Sequence, residues 1–221
     1  MKKETKNENL DICRECGGMC CKKSGCDYSA NDFKNCSYDT LAKELQKGDK
    51  SIVCYMKFKI DADGNYIYDP FLYLRARNKN RDVIDLISIK TGCALLNKDG
   101  CDHPYKQRPE GGRNLKPVRF EKGMCYPLKN PMSIVSTWKP YQKVLKRIVL
   151  TFTGMNLDAK IRQDVENLFY DILIENYEDI SIIELEDIKN FAILLSKVFP
   201  TELKRANERC ENKKLKVLTR Q

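Results

Sequence analysis

Cys13-Arg-Glu-Cys16-Gly-Gly-Met-Cys20-Cys21 places four thiols within nine positions. It separates a part of the chain that sulfur chemistry must explain from a part that apolar packing can explain. A C-x-x-C spans one edge of a tetrahedral coordination sphere, and both Zn2+ and iron–sulfur clusters accept it. Gly17 and Gly18 allow a tight turn that aims backbone N–H groups at the sulfurs. Cys20 and Cys21, as neighbours, point in divergent directions, so they serve different metals, or one binds metal and the other supports it. Four buried structural cysteines would need apolar company, whereas Arg14, Glu15, Gly17, Gly18 and Lys22 surround these. A redox dithiol of the C-x-x-C type precedes a helix, and Gly17-Gly18 opens none.

The rest of the chain sets the compartment and the scale. Eleven cysteines in 221 residues is an odd count and too sparse for a secreted disulfide scaffold. Residues 1–12 are polar and charged and read as a disordered leader without a signal-type apolar core. No run is long enough to span a membrane. These features predict a cytoplasmic protein, where clustered thiols bind metal or do chemistry. The net charge of +9, from 40 Lys and Arg against 31 Asp and Glu, permits nucleic acid as a partner without requiring it.

Downstream, Cys26 lies in a polar turn able to bring it back to the first cluster, whereas Cys36 has no close ligand-like neighbour. Residues 39–48 read as a helix capped by Asp39 or Thr40 and ended by Gly48. From Ser51 the period becomes two: Ile52, Cys54, Met56, Phe58 and Ile60 share one face of a strand, which makes Cys54 a core residue. Asp61 to Asn65 is a turn, and Tyr66 to Tyr68 continues as the partner strand. Arg75, Arg77, Lys79 and Arg81 form a basic run that can meet phosphate, or simply face solvent.

A second concentration of sulfur follows. Cys93 and Cys101 flank a short apolar run and an Asn-Lys-Asp-Gly turn, so the two are expected to face each other across a hairpin. His103, the only histidine, is close enough in sequence to be a ligand or a donor to one, although a lone His is more often neither. Cys125 sits in another turn and is a reasonable ligand. This combination, C-x-x-C-Gly-Gly-x-Cys-Cys, then Cys93, a Leu-rich run, Cys101 and Tyr105-x-x-Arg108-Pro109, resembles the YkgJ-type cysteine cluster proteins. The resemblance covers residues 13–125 and implies a zinc- or iron-chelating domain. A related cluster looks to be present in bacterial flagellin lysine methylases. The family pattern has a further Cys, often followed by Arg, shortly after Arg-Pro. Here Gly111-Gly112-Arg113 stands in its place, and either Cys26 or Cys125 is left to supply that ligand.

Beyond Cys125, Pro127, Pro131 and Pro140 read as a linker, followed by helical stripes over 141–152, 159–177 and 184–199. The expected architecture is α+β: a metal-bound, Cys-rich unit of short strands and irregular loops over 13–130, then about three helices over 131–200 packed on it. Residues 201–221 read as a frayed basic tail. The expected ligands are Cys13, Cys16, Cys20, Cys21, Cys26, Cys93, Cys101 and Cys125, holding zinc or iron. An iron–sulfur enzyme of redox or side-chain-modifying type, and a zinc-stabilised nucleic-acid-binding module, are the competing functions. No catalytic dyad or phosphate loop is recognisable.

Overall fold

The computed structural model describes residues 26–77, 81–87, 93–97, 100–101, 103–116, 126–127, 130–176 and 182–218. The leader, Lys79 and five of the expected ligands (Cys13, Cys16, Cys20, Cys21 and Cys125) lie outside the described residues. The chain is mixed α+β. Its centre is an antiparallel ribbon of β1 (Lys50–Ile60) and β2 (Tyr66–Ala76), joined by the turn in which Gly64 adopts φ 83°.

At the base of the ribbon both faces of β1 are covered, with Ser51 and Val53 buried beside Ile52, and the alternation expected from Ile52 shows only in the middle, where Met56 is buried between exposed Tyr55 and Lys57. It fails at the tip, where Ile60 is 62% exposed because no other element covers its face. A two-stranded ribbon leaves two open edges, and unpaired edge groups must find partners. On β1, Ile52 and Cys54 donate to the carbonyls of Val83 and Leu86 at 2.8 and 3.1 Å, and Asp85 donates back to Ile52 at 2.9 Å. On β2, Tyr28 donates to Leu74 at 2.9 Å and Ala76 to the carbonyl of Cys26 at 2.7 Å. Between them the Gln142 side-chain amide takes a strand's place: its Oε1 accepts from Leu72 N–H at 2.9 Å and its Nε2 donates to the Leu72 carbonyl at 2.8 Å.

Helix α1 (Tyr38–Gln46) precedes the ribbon. Ser37, rather than Asp39 or Thr40, is its N-cap, and Gly48 follows its end with φ 79°. After the ribbon come the short pairs β3 (Leu96–Asn97) with β4 (Gly100–Cys101), the one-turn helix α2 (Glu110–Arg113), and β5 (Leu115–Lys116) with β6 (Tyr126–Pro127).

The expected proline linker is a helical segment. Helix α3 (Pro131–Val135) takes Pro131 at its first turn, where a missing N–H costs nothing. A 3-10 turn, Ser136–Tyr141, continues it. Trp138 there is fully buried and its indole N–H donates to the Tyr28 carbonyl at 2.7 Å, so this segment is part of the core. Helices α4 (Gln142–Thr153), α5 (Leu157–Leu173), α6 (Ile182–Val198) and α7 (Pro200–Leu218) complete the described chain. Gly154, at φ 70°, ends α4 as the pattern predicts.

The basic tail is a correction: residues 200–218 form a 19-residue helix. Its inward stripe is Leu203, Ala206 and Cys210, and Arg162 of α5 clamps it by reaching Glu202 Oε1 at 3.0 Å. One apolar core runs from Tyr28 through the ribbon to Ala206. The helices meet the ribbon through Phe58 against Phe191, Tyr68 against Phe199, and a Tyr68 hydroxyl bonded to Asp158.

Candidate metal centre

Two expected ligands far apart in sequence reach the same end of β2. Ala76 donates to the Cys26 carbonyl at 2.7 Å, and the next residue, Arg77, accepts from Ala94 N–H at 2.6 Å. Residues 26 and 93–94 are thereby held at the last two positions of one strand end. Both thiols are buried, Cys26 at 8% and Cys93 at 2% exposure. Burial pushes the Tyr28 hydroxyl far above its usual range, and the charges of Asp49, Cys26 and Cys93 add to that push. Both sulfurs are thus within electrostatic reach of one phenol.

The backbone around these thiols suits thiolates. Leu95 N–H points at Cys93 Sγ at 3.4 Å, the amide-to-sulfur contact that lowers the cost of sulfur charge at metal sites. Around Cys26 the chain is cleared rather than filled. A Cβ on Gly112 would fall 2.7 Å from Cys26 Sγ, and one on Gly111 would fall 2.5 Å from the Asp27 carbonyl oxygen. No side chain fits at either position without displacement. Gly111 N–H donates to Asp27 O at 2.9 Å, which seats α2 against the Cys26–Asp27 segment.

An ion-pair frame holds that seat. Asp32 accepts from Ser29 N–H at 2.9 Å, from Glu110 N–H at 2.8 Å and from Arg113 Nη2 at 2.7 Å. Tyr105 donates its hydroxyl to the Arg113 carbonyl at 3.0 Å, and Arg108 Nε donates to the His103 carbonyl at 3.0 Å. The Arg108-Pro109 pair therefore braces the loop that presents Gly112.

Cys101 lies on the short hairpin opposite Leu96, not opposite Cys93. The expected facing pair is displaced because the apolar run Ala94–Leu95 turns before the strand begins, with Leu96 N–H returning to the Cys93 carbonyl at 3.1 Å. Cys101 is partly buried against the core. Among the described residues no three Cys, His, Asp or Glu side chains form a metal-binding group; Cys26, Cys93 and Cys101 are the described members of the expected eight.

The remaining described thiols are of a different kind. Burial pushes Cys54 up to about 12 and raises Cys36 as well, which keeps both protonated in the core. The basic run at the end of β2 is structural too: Arg75 Nε binds Asp27 Oδ1 at 2.8 Å and Nη2 binds the Tyr73 hydroxyl at 2.9 Å. Arg81 Nη2 binds the buried Asp85 at 2.7 Å.

A polar cleft of about 490 Å³ lies between residues 81–87, α5 and α7. Two ion pairs, Arg81–Asp85 and Lys160–Asp164, lie in its lining, and Arg209 donates to the Asn167 side-chain carbonyl at 3.0 Å. Burial holds the Asp164 carboxyl above the usual range. No helix among the described residues is long and apolar enough to cross a membrane. Compared with protein-family models, curated proteins and solved structures, the chain matches none.

Proposed function

We propose that the chain is a metal-binding protein in which Cys26 and Cys93, together with Cys13, Cys16, Cys20, Cys21, Cys101 and Cys125, hold zinc or iron. One observation carries the reading. Two buried thiols 67 positions apart lie on segments whose backbones bond to adjacent residues at one end of β2, one thiol receiving a backbone N–H and the other facing a glycine with no room for a side chain. A buried thiol serving only as core needs neither device. The donor set is all sulfur, which suits Zn2+ and iron–sulfur clusters and disfavours Mg2+ or Ca2+.

The same geometry gives the YkgJ-type resemblance a physical reading. In that pattern the further Cys precedes an Arg, which in this chain is Arg113, so Gly112 occupies the position. Cys26 Sγ fills the volume that a residue at 112 would enter. Cys26 is accordingly the replacement ligand, delivering sulfur to nearly the same point from another segment. Bound metal would supply local cross-linking of residues 13–26 to the loops of 93–125, and any chemistry at the metal would depend on that site.

The test is metal and acid-labile sulfide content of protein purified without oxygen, read with its visible spectrum. Two zinc per chain and no colour favour a zinc centre; iron with sulfide favours a cluster. Metal at well under one equivalent in both wild type and zinc-supplemented protein would sink the proposal.

A further inference from the structure

Residues 122–157 contain six Lys and Arg and no Asp or Glu. This stretch of 36 residues supplies +6 of the chain's net +9. Its described cations are Lys139, Lys143, Lys146 and Arg147, and all four are exposed. Lys146 and Arg147, neighbours in sequence, both lie one turn after Lys143 on the outer side of α4, and Lys139 stands one turn earlier on the 3-10 segment. None of the four takes part in an ion pair among the described residues. Arg147 lies over the Tyr38 ring at 4.6 Å, which holds its guanidinium against the surface.

Among the described residues no carboxylate of the elements packed beside α4 is ion-paired with this stripe; on α5, Asp158 and Asp164 are held by Arg162 and Lys160. Helix α1, packed beside α4, brings Asp39, Lys43 and Glu44. Glu44 is engaged by Lys47 at 2.5 Å and Lys50 at 3.1 Å. On β2, Asp69 sits 3.7 Å from Lys59. The stripe thus keeps its charge for a partner.

We propose that the outer face of α4 binds the phosphate backbone of a nucleic acid through charge rather than sequence. A linear row of cations with about one per helical turn matches a polymer with regularly spaced phosphates better than a single small anion. A membrane surface is a poorer fit. Membrane-surface helices bury a continuous apolar side in the lipid, whereas Leu145, Ile148 and Val149 of α4 are fully buried in the protein core and only Leu150 and Phe152, at its C-terminal end, are exposed. This surface is separate from the arginines at the end of β2, which are spent on Asp27 and Asp85, and it is independent of the metal centre.

The experiment is fluorescence anisotropy of the full chain with two labelled 20-base-pair DNA duplexes of unrelated sequence, across a salt series. Four phosphate contacts predict a log–log salt slope of about −3.6, roughly a hundredfold weakening between 50 and 200 mM salt, equal for both duplexes. Lys143→Gln with Lys146→Gln should flatten that slope by about 2. Lys204→Gln with Arg205→Gln, on exposed positions of α7, should leave it unchanged. These substitutions touch exposed side chains, so folding is retained. Absence of binding at 50 mM salt, or equal slopes for the α4 variant and wild type, would overturn the proposal. So would binding to vesicles containing 30% phosphatidylserine but not to either duplex.

Discussion

At the scale of single residues, the two glycines of α2 and the carboxylate of Asp158 show how local chemistry sets larger structure. Gly112 is required by a close approach, not by an unusual backbone angle. Any side chain there must displace Cys26 Sγ or α2 itself. Gly112→Ala in the otherwise native chain should therefore destabilise the protein by about 1–3 kcal/mol, the range for overpacking, measured by urea unfolding. Asp158 tests the ribbon contact. The Tyr68 hydroxyl donates to it, and with Arg162 it holds the carboxyl below its usual range. A depressed folded-state value stabilises the fold above the unfolded value of about 3.9, and that contribution fades as pH falls through the folded value. In Tyr68→Phe the Asp158 titration, followed by carboxyl-carbon NMR, should move upward. An unmoved midpoint would show that Arg162 alone sets it.

At the scale of elements, side chains finish what the ribbon lacks. Gln142 supplies both a donor and an acceptor to Leu72, at 2.9 and 2.8 Å. Gln142→Leu keeps the bulk but strands a backbone N–H and carbonyl, and should cost about 1–3 kcal/mol. A loss under 0.5 kcal/mol in urea titrations would mean that water serves the edge as well, since surface changes alone stay about that small. Arg162 performs a comparable task between α5 and α7. Removing it leaves Glu202, at 2% exposure, as a buried carboxylate without its cation. Arg162→Ala should cost about 3 kcal/mol, and Arg162→Ala with Glu202→Leu should recover most of it.

Element by element, legibility followed the apolar stripes. The even positions from Ile52, and Gly154 as the end of α4, were readable because each rests on a local rule. The continuation of β2 through Pro70 was not. Proline usually argues against a strand interior, but Pro70 shares register parity with Leu72 and Leu74, whose polar groups point to the outer edge. Its missing N–H therefore breaks no bond to β1. Helix α7 was hidden because its inward stripe relies on small residues, Ala206 and Cys210, amid many charges. Trp138 was hidden because Pro131 and Pro140 suggested a linker, although both fit within helical turns.

For the whole molecule, the described residues form one apolar core from Tyr28 to Ala206, to which Cys26, Cys93 and Cys101 belong or against which they pack. Between residues 41 and 86, Leu41, Leu45, Ile52, Leu72, Leu74 and Leu86 are fully buried and give the Cys-rich half an apolar core of its own. Chelation should then leave the far-UV helical signal and the main urea transition in place, while thiol reactivity at Cys26 and Cys93 rises. Collapse of the helical signal on chelation would show that metal is needed for the core itself. The arginine run is spent on carboxylates: Arg81 reaches Asp85, four residues on, and Arg75 reaches Asp27, whose proximity only the fold supplies. What the sequence conveyed of the metal centre was its donors. The meeting of Cys26 with Gly112, 86 positions apart, depends on α2 docking against the Cys26–Asp27 segment, which no local pattern encodes.

The central claim is that Cys26 delivers a ligand sulfur to the space beside Gly112. Metal content per chain, measured for wild type, Cys26→Ala, and Cys26→Ala with Gly112→Cys, tests it directly. Removing Cys26 Sγ clears the space for a Cβ at 112 and lets a thiol return from α2. The account predicts metal lost in the single variant and regained in the double. Full metal in Cys26→Ala, or no recovery in a folded double variant, would contradict it.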